Sequence, residues 1–487
     1  MSDCLAMLVR GVHRIPKSTG LESMFDFHAV FSRAVVAAML GASTLVAQAP
    51  ARATVIRQID SLATAALRNG PVAALSIAVV KGRDTLVMKG YGFADLELDV
   101  PMPPRATYEI GSITKQFTAA AILLLAEEGK LSLADEMTKF LPRYPTQSNH
   151  VTIRHLLNHT SGIKGYTELP GFREFQMLKK PREELVKLFS GRPFDFNPGD
   201  EQIYNNSAFF LLGLIIERVS GKPYAEFIQE HLFDRAGMGD SYYCTERAIH
   251  KNHAHGYDMD RNVLVLKAYV DHMWPYAAGS LCSSAPDLVA WSKALHGGKV
   301  LKPESYREMT SAARLNDGTT IRYGMGLSLP ETDGRRTISH GGTINGFRSV
   351  LEYYPDDDLV IVVLLNTAGP VAPRDLARQI AEAVLGKAPD RSHPFDGDLT
   401  QFAGDFTGKG RGLPTTVHIA VSGNQITFIN TETQRASAET LEYFGNDTFG
   451  FKDTVLIFKR ENGNISRLDL DTGYGHNILS RQSTIQK

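Results

Sequence analysis

The sequence predicts an α+β fold, an antiparallel sheet flanked by helices with a helical insertion, followed by a small C-terminal all-β barrel. Three observations predict it. Hairpin patterns near residues 74–88 and 348–365 bracket a mainly helical middle from about 112 to 310. Helical patterns at 54–68 and 374–386 remain to cover the sheet, so strands and helices are segregated rather than alternating as βα units. Beyond residue 396 apolar residues recur with period two, the signature of strands with one buried face.

The first residues have a different texture. Arg33 precedes an apolar run, Ala34 to Val46, that ends in small residues and three overlapping A-x-A sites between Ala47 and Ala53. This is a secretory signal pattern, and we assign residues 1–53 to it. Met24 would give a leader of usual length and is the expected initiator. The run is shorter than the roughly 20 residues of a membrane span, which disfavours an anchor. An exported protein, periplasmic or secreted and without an integral span, is expected. Losing the leader removes Cys4 and leaves Cys244 and Cys282 as an even pair in an oxidising compartment. A disulfide is permitted there, although sequence does not bring the sulfurs together.

Residues 54–68 carry apolar positions at helical spacing and stop at Asn69-Gly70-Pro71. Ala74–Val80 and Thr85–Met88 flank Lys81-Gly82-Arg83-Asp84, a hairpin signal. Arg348–Tyr354 and Leu359–Leu365 flank Pro355–Asp358 in the same way, and the return strand is strongly apolar. We place one domain at 54–388, a polar linker at 389–395 and the barrel at 396–487. Within the barrel, Asn462-Gly463 between two alternating runs marks a tight turn.

Composition narrows the function. Lys+Arg 52 against Asp+Glu 53 leaves no basic field for nucleic acid, and 43% hydrophobic content in 487 residues suffices for a large core. The informative stretch runs from Glu109 to Gly129, where a nearly all-apolar helix begins just after Ser112. A serine at a helix start faces free backbone N–H groups and the positive dipole end, which favour a developing negative charge. Lys115 lies three residues on, on the same face, and burial would leave its amine free to take a proton. S-x-x-K alone is a weak signal. Ser161-Gly162-Ile163-Lys164 also fits, but its glycine and the lack of a helical pattern make it a turn.

Two further segments raise the odds. Tyr204 and Asn206 stand at the entry of an amphipathic helix, and His340-Gly341-Gly342-Thr343 precedes the second hairpin. The ordered set S-x-x-K, Y-x-N and H-G-G resembles the serine β-lactamase and penicillin-recognising superfamily, in the branch of class C β-lactamases, D-aminopeptidases and family VIII carboxylesterases. The spacers His155–Gly162, Ala278-Gly279-Ser280 with Pro286-Asp287-Leu288, and Tyr323–Gly326 are also similar to that family. The resemblance covers about 54–388, and residues 396–487 look like the lipocalin-like domain often appended to such hydrolases.

The resemblance implies roles. Ser112 attacks a carbonyl, Lys115 and Tyr204 share acid and base work, and Asn206 orients substrate or Lys115. The backbone N–H groups of Ser112 and Thr343 hold the oxyanion, with His340 and Gly342 lining the site. No cofactor and no metal are implied. Tyr204 needs a nearby cation to approach a phenolate, and Lys115 is the expected source. The departure is His340, where relatives commonly carry a lysine. A neutral histidine offers a hydrogen bond but little charge, so weaker selection for carboxylates and more tolerance of neutral esters or amides are expected.

The expected partners are therefore small esters, amides or D-amino acid peptides, with a β-lactamase or D-Ala-D-Ala carboxypeptidase as the rival enzyme. A non-catalytic penicillin- or peptidoglycan-binding protein is the rival from another class. Other constellations read as structural. His250, His253, His255 and Asp258 lack the continuation of a metallo-hydrolase, and Leu156 stands between His155 and His159 where a zincin needs Glu. Gly408-Lys409-Gly410-Arg411-Gly412 has no following helix pattern and reads as a barrel loop. Trp274-Pro275-Tyr276 reads equally as pocket lining or core.

Overall fold

The computed structural model describes residues 52–332, 334–387, 390–430 and 437–482. The expected leader up to residue 51, with Met24 and Cys4, and the start of the expected linker lie outside the described residues. Six antiparallel strands form the main sheet: β1 (Ala74–Lys81), β2 (Asp84–Asp95), β3 (Val100–Pro101), β4 (Ile338–Ile344), β5 (Phe347–Tyr354) and β6 (Leu359–Leu365). Their order is β4-β5-β6-β1-β2-β3, so the two hairpins read from sequence join through β6 and β1. β6 is buried along its whole length, which is why its sequence is continuously apolar rather than alternating.

The longest helices are α1 (residues 52–68), α2 (Thr114–Glu127), α3 (Asn206–Ser220), α4 (Ala285–His296) and α5 (Pro373–Leu385); Asp60 of α1 binds Lys89 and Tyr91 of β2, and α4 and α5 pack on the sheet. Val360, Val362 and Leu364 of β6 join a core with Leu288 and Trp291 of α4, while α5 packs on β5 and β6. α2 runs through the centre of that core, and every residue from Thr114 to Leu125 is buried. Only an apolar helix suits such a place. α3 starts at Asn205, whose side chain accepts from Ala208 N (2.9 Å), and ends on Gly221 in the left-handed conformation.

Parts of the helical middle are not helical, among them the hairpin Tyr257–Asp260 with Val263–Leu266. Thr107–Glu109, Leu281–Ser284 and Tyr242–Tyr243 form a three-stranded sheet beside the start of α2. Strands of two to four residues carry too little period to be legible. Cys244 and Cys282 are joined there by a disulfide with a Cα–Cα distance of 5.3 Å. It braces the strand that follows Ala278.

The C-terminal residues form a nine-stranded antiparallel sheet. Its two edge strands, Ser437–Thr440 and Glu442–Gly445, are separated in sequence only by Leu441, so the sheet curls back on itself into a nearly closed barrel. Phe402, Phe406, Phe449 and Phe458 fill its interior. Four of its strands matter below: β7 (Gly404–Gly410), β8 (Leu413–Ser422), β9 (Asn464–Asp471) and β10 (His476–Arg481). No helix among the described residues is long and apolar enough to cross a membrane.

Candidate active site

Ser112 lies in the single 3₁₀ turn Gly111–Ile113 that leads directly into α2, so its hydroxyl sits at the positive end of a buried helix. Lys115 is fully buried in the first turn of α2. Its Nζ lies 2.8 Å from Asn206 Oδ1, 2.8 Å from the Ala278 carbonyl and 3.2 Å from Ser112 Oγ. Burial holds the Lys115 amine well below its ordinary pKa; Arg411 lowers it further and Glu168 opposes. A neutral amine has two N–H donors, and Asn206 and Ala278 accept both. In that form the lone pair is left for Ser112 O–H, the arrangement a general base requires, whereas the ammonium donates to Ser112 Oγ.

Asn206 is fixed in turn. Its Nδ2 donates to Thr167 Oγ1 (3.1 Å), and that hydroxyl donates to the Glu168 carboxylate (2.8 Å). Tyr204 is hydrogen-bonded to Ser112, and its ring centroid is 4.7 Å from Lys115 Nζ. Burial raises the Tyr204 phenol above its ordinary pKa more than the bond to Ser112 lowers it. Burial thus disfavours both the Tyr204 phenolate and the Lys115 ammonium, since it penalises either charge.

β4 forms the near wall. It is an edge strand, and its glycines let it lie directly against Ile110–Ser112. A Cβ on Gly342 would stand 2.0 Å from Ile110 O, and one on Gly111 (φ +52°) would stand 3.0 Å from Thr343 N. Thr343 N–H is thus brought next to Ser112. His340 is buried, and burial pushes its pKa down to about 3. A chain of hydrogen bonds fixes its neutral form. Asn205 N–H donates to His159 Nδ1 (3.1 Å), His159 Nε2–H to Tyr323 Oη (3.1 Å), Tyr323 O–H to His340 Nε2 (3.2 Å), and His340 Nδ1–H to Gly341 O (2.6 Å). Both ring nitrogens are occupied, so the hydrogen bond that His340 was expected to offer a ligand is already committed.

These groups share a cleft of about 380 Å³ lined by Ser112, Tyr204, Asn206, His340, Gly342 and Thr343, with Lys115 beneath. A smaller recess continues on the other side of Ser112 past Tyr166, Phe172, Val270 and Pro275. Trp274 and Tyr276 are core, not lining. The far wall comes from residues the sequence reading passed over: Arg348, Arg374, Arg411 and Tyr474. Tyr474 Oη accepts from Gly341 N (2.6 Å) and Arg374 Nη2 (2.6 Å), so the β9–β10 turn touches the glycine motif of β4. Arg411 stands on the β7–β8 turn, inside the glycine tract read as a plain barrel loop. An arginine between two glycines at a hairpin tip was the available signal.

The other histidines singled out in the sequence lie away from Ser112. His155 completes a capping box with Thr152. His250 stacks on Tyr242 with ring centroids 3.4 Å apart, while His253 Nδ1 lies 2.9 Å from Tyr242 Oη. His255 faces Asp95 instead (3.5 Å), and Asp258 accepts from Ala268 N and Gly346 N.

A helix-start serine bonded to a buried lysine, with a tyrosine and a glycine-rich edge strand around them, defines the serine hydrolases of the penicillin-recognising kind. The family model described as Beta-lactamase matches residues 59–385, and the chain belongs to that family. Penicillin-binding protein 4* of Bacillus subtilis is 30% identical over 328 residues, 64% of this chain and 72% of that relative. The octameric penicillin-binding protein homologue from Pyrococcus abyssi is 26% identical with TM-score 0.62, covering 87% of this chain and 99% of the other. The D-stereospecific amidohydrolase from Streptomyces sp. is 25% identical with TM-score 0.59, covering 69% and 99%.

Proposed function

We propose that the protein is an exported hydrolase that cleaves small esters or amides, including D-amino acid peptides, through an acyl-enzyme on Ser112. The observation that carries this reading is the fully buried Lys115 amine 3.2 Å from Ser112 Oγ, where burial holds its pKa well below the ordinary value. Lys115 takes the hydroxyl proton as Oγ bonds to the carbonyl carbon, and the N–H groups of Ser112 and Thr343 receive the oxyanion. The oxyanion collapses, the bond to the leaving group breaks, and Tyr204 passes the proton from Lys115 to the departing oxygen or nitrogen. Water, deprotonated by the same pair, then releases the acid and restores Ser112. Asn206 holds Lys115, while Gly342 and His340 shape the near wall.

The printed description of the Streptomyces relative, a D-stereospecific amidohydrolase, favours an amide of a D-amino acid among the candidates. The penicillin-binding relatives keep β-lactam turnover and D-Ala-D-Ala cleavage as the rival chemistry. The division at 54–388, 389–395 and 396–487 is part of the same proposal, the two hydrophobic cores lying on either side of the linker. A panel of a p-nitrophenyl ester, a D-Ala anilide and a chromogenic cephalosporin, each with a Ser112→Ala control, tests it. Fastest turnover of ester or anilide, abolished by the control, supports the reading. Fluorescent-penicillin labelling of Ser112 without turnover of any substrate would replace it with a binding protein.

A further inference from the structure

We propose that the cleft selects a carboxylate-bearing substrate and that Arg411, carried in by the C-terminal barrel, pairs with that carboxylate. This rests on acyl transfer at Ser112 and narrows the proposed substrates to those with a free carboxylate, such as a D-amino acid peptide; the ester and anilide of the panel report the acyl transfer alone. The cleft lining includes three arginines and, among the described residues, no Asp or Glu. Two of the three are committed to the protein. Arg348 Nη1 donates to the Gly369 and Val371 carbonyls, and Arg374 is held by Asp453 (2.6 Å), Ser339 and Tyr474. Arg411 differs. Among the described residues its guanidinium donates a hydrogen bond only through Nη2, to Glu168 Oε1 (2.7 Å), and its side chain remains 59% exposed. Its Cζ stands 5.7 Å from the Tyr204 ring centroid, one side chain away from the nucleophile.

The placement is built rather than incidental. Arg411 (φ +50°) and Gly412 (φ +76°) form a two-residue hairpin turn with both φ positive, a conformation arginine rarely adopts. The turn is pinned to the hydrolase part by Lys164 Nζ on Gly412 O (2.8 Å) and Lys409 Nζ on Asp195 O (2.6 Å). Gly412 has no room for a side chain, since a Cβ would lie 2.7 Å from Asp195 Oδ2. Glu168, nearly buried, holds one corner of the planar guanidinium and leaves the other N–H donors toward the cleft, where a bidentate carboxylate fits. The positive charge that His340 does not supply thus enters from the opposite wall.

Boronic acids form a reversible adduct with a serine nucleophile, so a matched pair separates the two readings. We would measure binding of phenylboronic acid and meta-carboxyphenylboronic acid to the full chain by calorimetry. The wild type is expected to prefer the carboxylate about tenfold or more, the worth of a charged hydrogen bond. Arg411→Gln is expected to bring that ratio close to one, and Arg411→Lys to restore part of it. The ratio is taken within each variant, so a general loss of binding cancels. Arg460→Gln, which removes an exposed arginine paired with Asp447, controls for net charge and keeps the wild-type ratio. An unchanged ratio in Arg411→Gln overturns the role of Arg411 while leaving Ser112 intact. Failure of the wild type to bind either compound overturns both readings.

Discussion

The chain contains two S-x-x-K segments, and they have opposite fates. Ser112 and Lys115 open a buried helix, and among the described residues Lys115 has amide, carbonyl and hydroxyl partners but no carboxylate in contact. Ser161 and Lys164 lie in a turn with Gly162 at φ +71°, and Lys164 is paired with Asp195 at 3.0 Å. The same four-residue pattern therefore makes a base in one place and an anchor in the other. What decides is the lysine's surroundings: burial favours the neutral amine at Lys115, whereas Lys164 is tied to a carboxylate and to the Gly412 carbonyl. The second lysine still serves the first, because Lys164 holds the hairpin tip that brings Arg411 into the cleft.

The sharpest way to break this comparison is to exchange the nucleophiles for alanine. Ser112→Ala is expected to lower kcat/KM on a p-nitrophenyl ester by about 10⁴ or more, and Ser161→Ala by no more than about threefold. Lys115→Arg, which cannot deprotonate near neutral pH, is expected to cost about 10³ in kcat. Tyr204→Phe should follow at about 10²–10³, since a neutral phenol in the proton path is lost while the serine and its base remain. Lys164→Met is expected to cost only about three- to tenfold, read as a loss of preference for carboxylate substrates rather than of kcat.

The stability of the two regions should diverge with pH. His340 has its pKa lowered from 6.5 to about 3, so its contribution is complete above pH 6.5 and is lost as pH falls toward 3. His476 of the barrel faces Asp469 and Asp471 and is raised from 6.5 to about 9, so its contribution is complete below pH 6.5 and is lost as pH rises through 9. Urea unfolding across pH 3–10 checks both. His340→Gln should flatten the acid limb by about one proton, and His476→Gln the alkaline limb by the same amount.

Legibility followed the length scale of each signal. β6 and α2 announce themselves because seven and twelve consecutive residues respond to one environment. Ser112, Lys115, Tyr204 and Asn206 were legible because each opens a helix with a recognisable start. The Thr107–Glu109 strand and its partners were not, being shorter than any period. The far wall escaped for another reason. Arg411 and Tyr474 act through turns of a separate core, and nothing local in a glycine-rich turn records which surface it meets. The raised pKa of the Tyr204 phenol was not legible, because proximity to Lys115 can be read from sequence and depth of burial cannot.

The central claim is that the Lys115 amine is uncharged at neutral pH. Selective ¹³Cε labelling of lysine, with the Lys115 resonance identified by its loss in Lys115→Arg, follows its protonation directly. The account predicts that this resonance already has the chemical shift of a neutral amine at pH 7.5 and titrates well below the other lysines, with kcat/KM rising over the same range. A Lys115 resonance that keeps its ammonium shift up to pH 9 while the enzyme is fully active would contradict it.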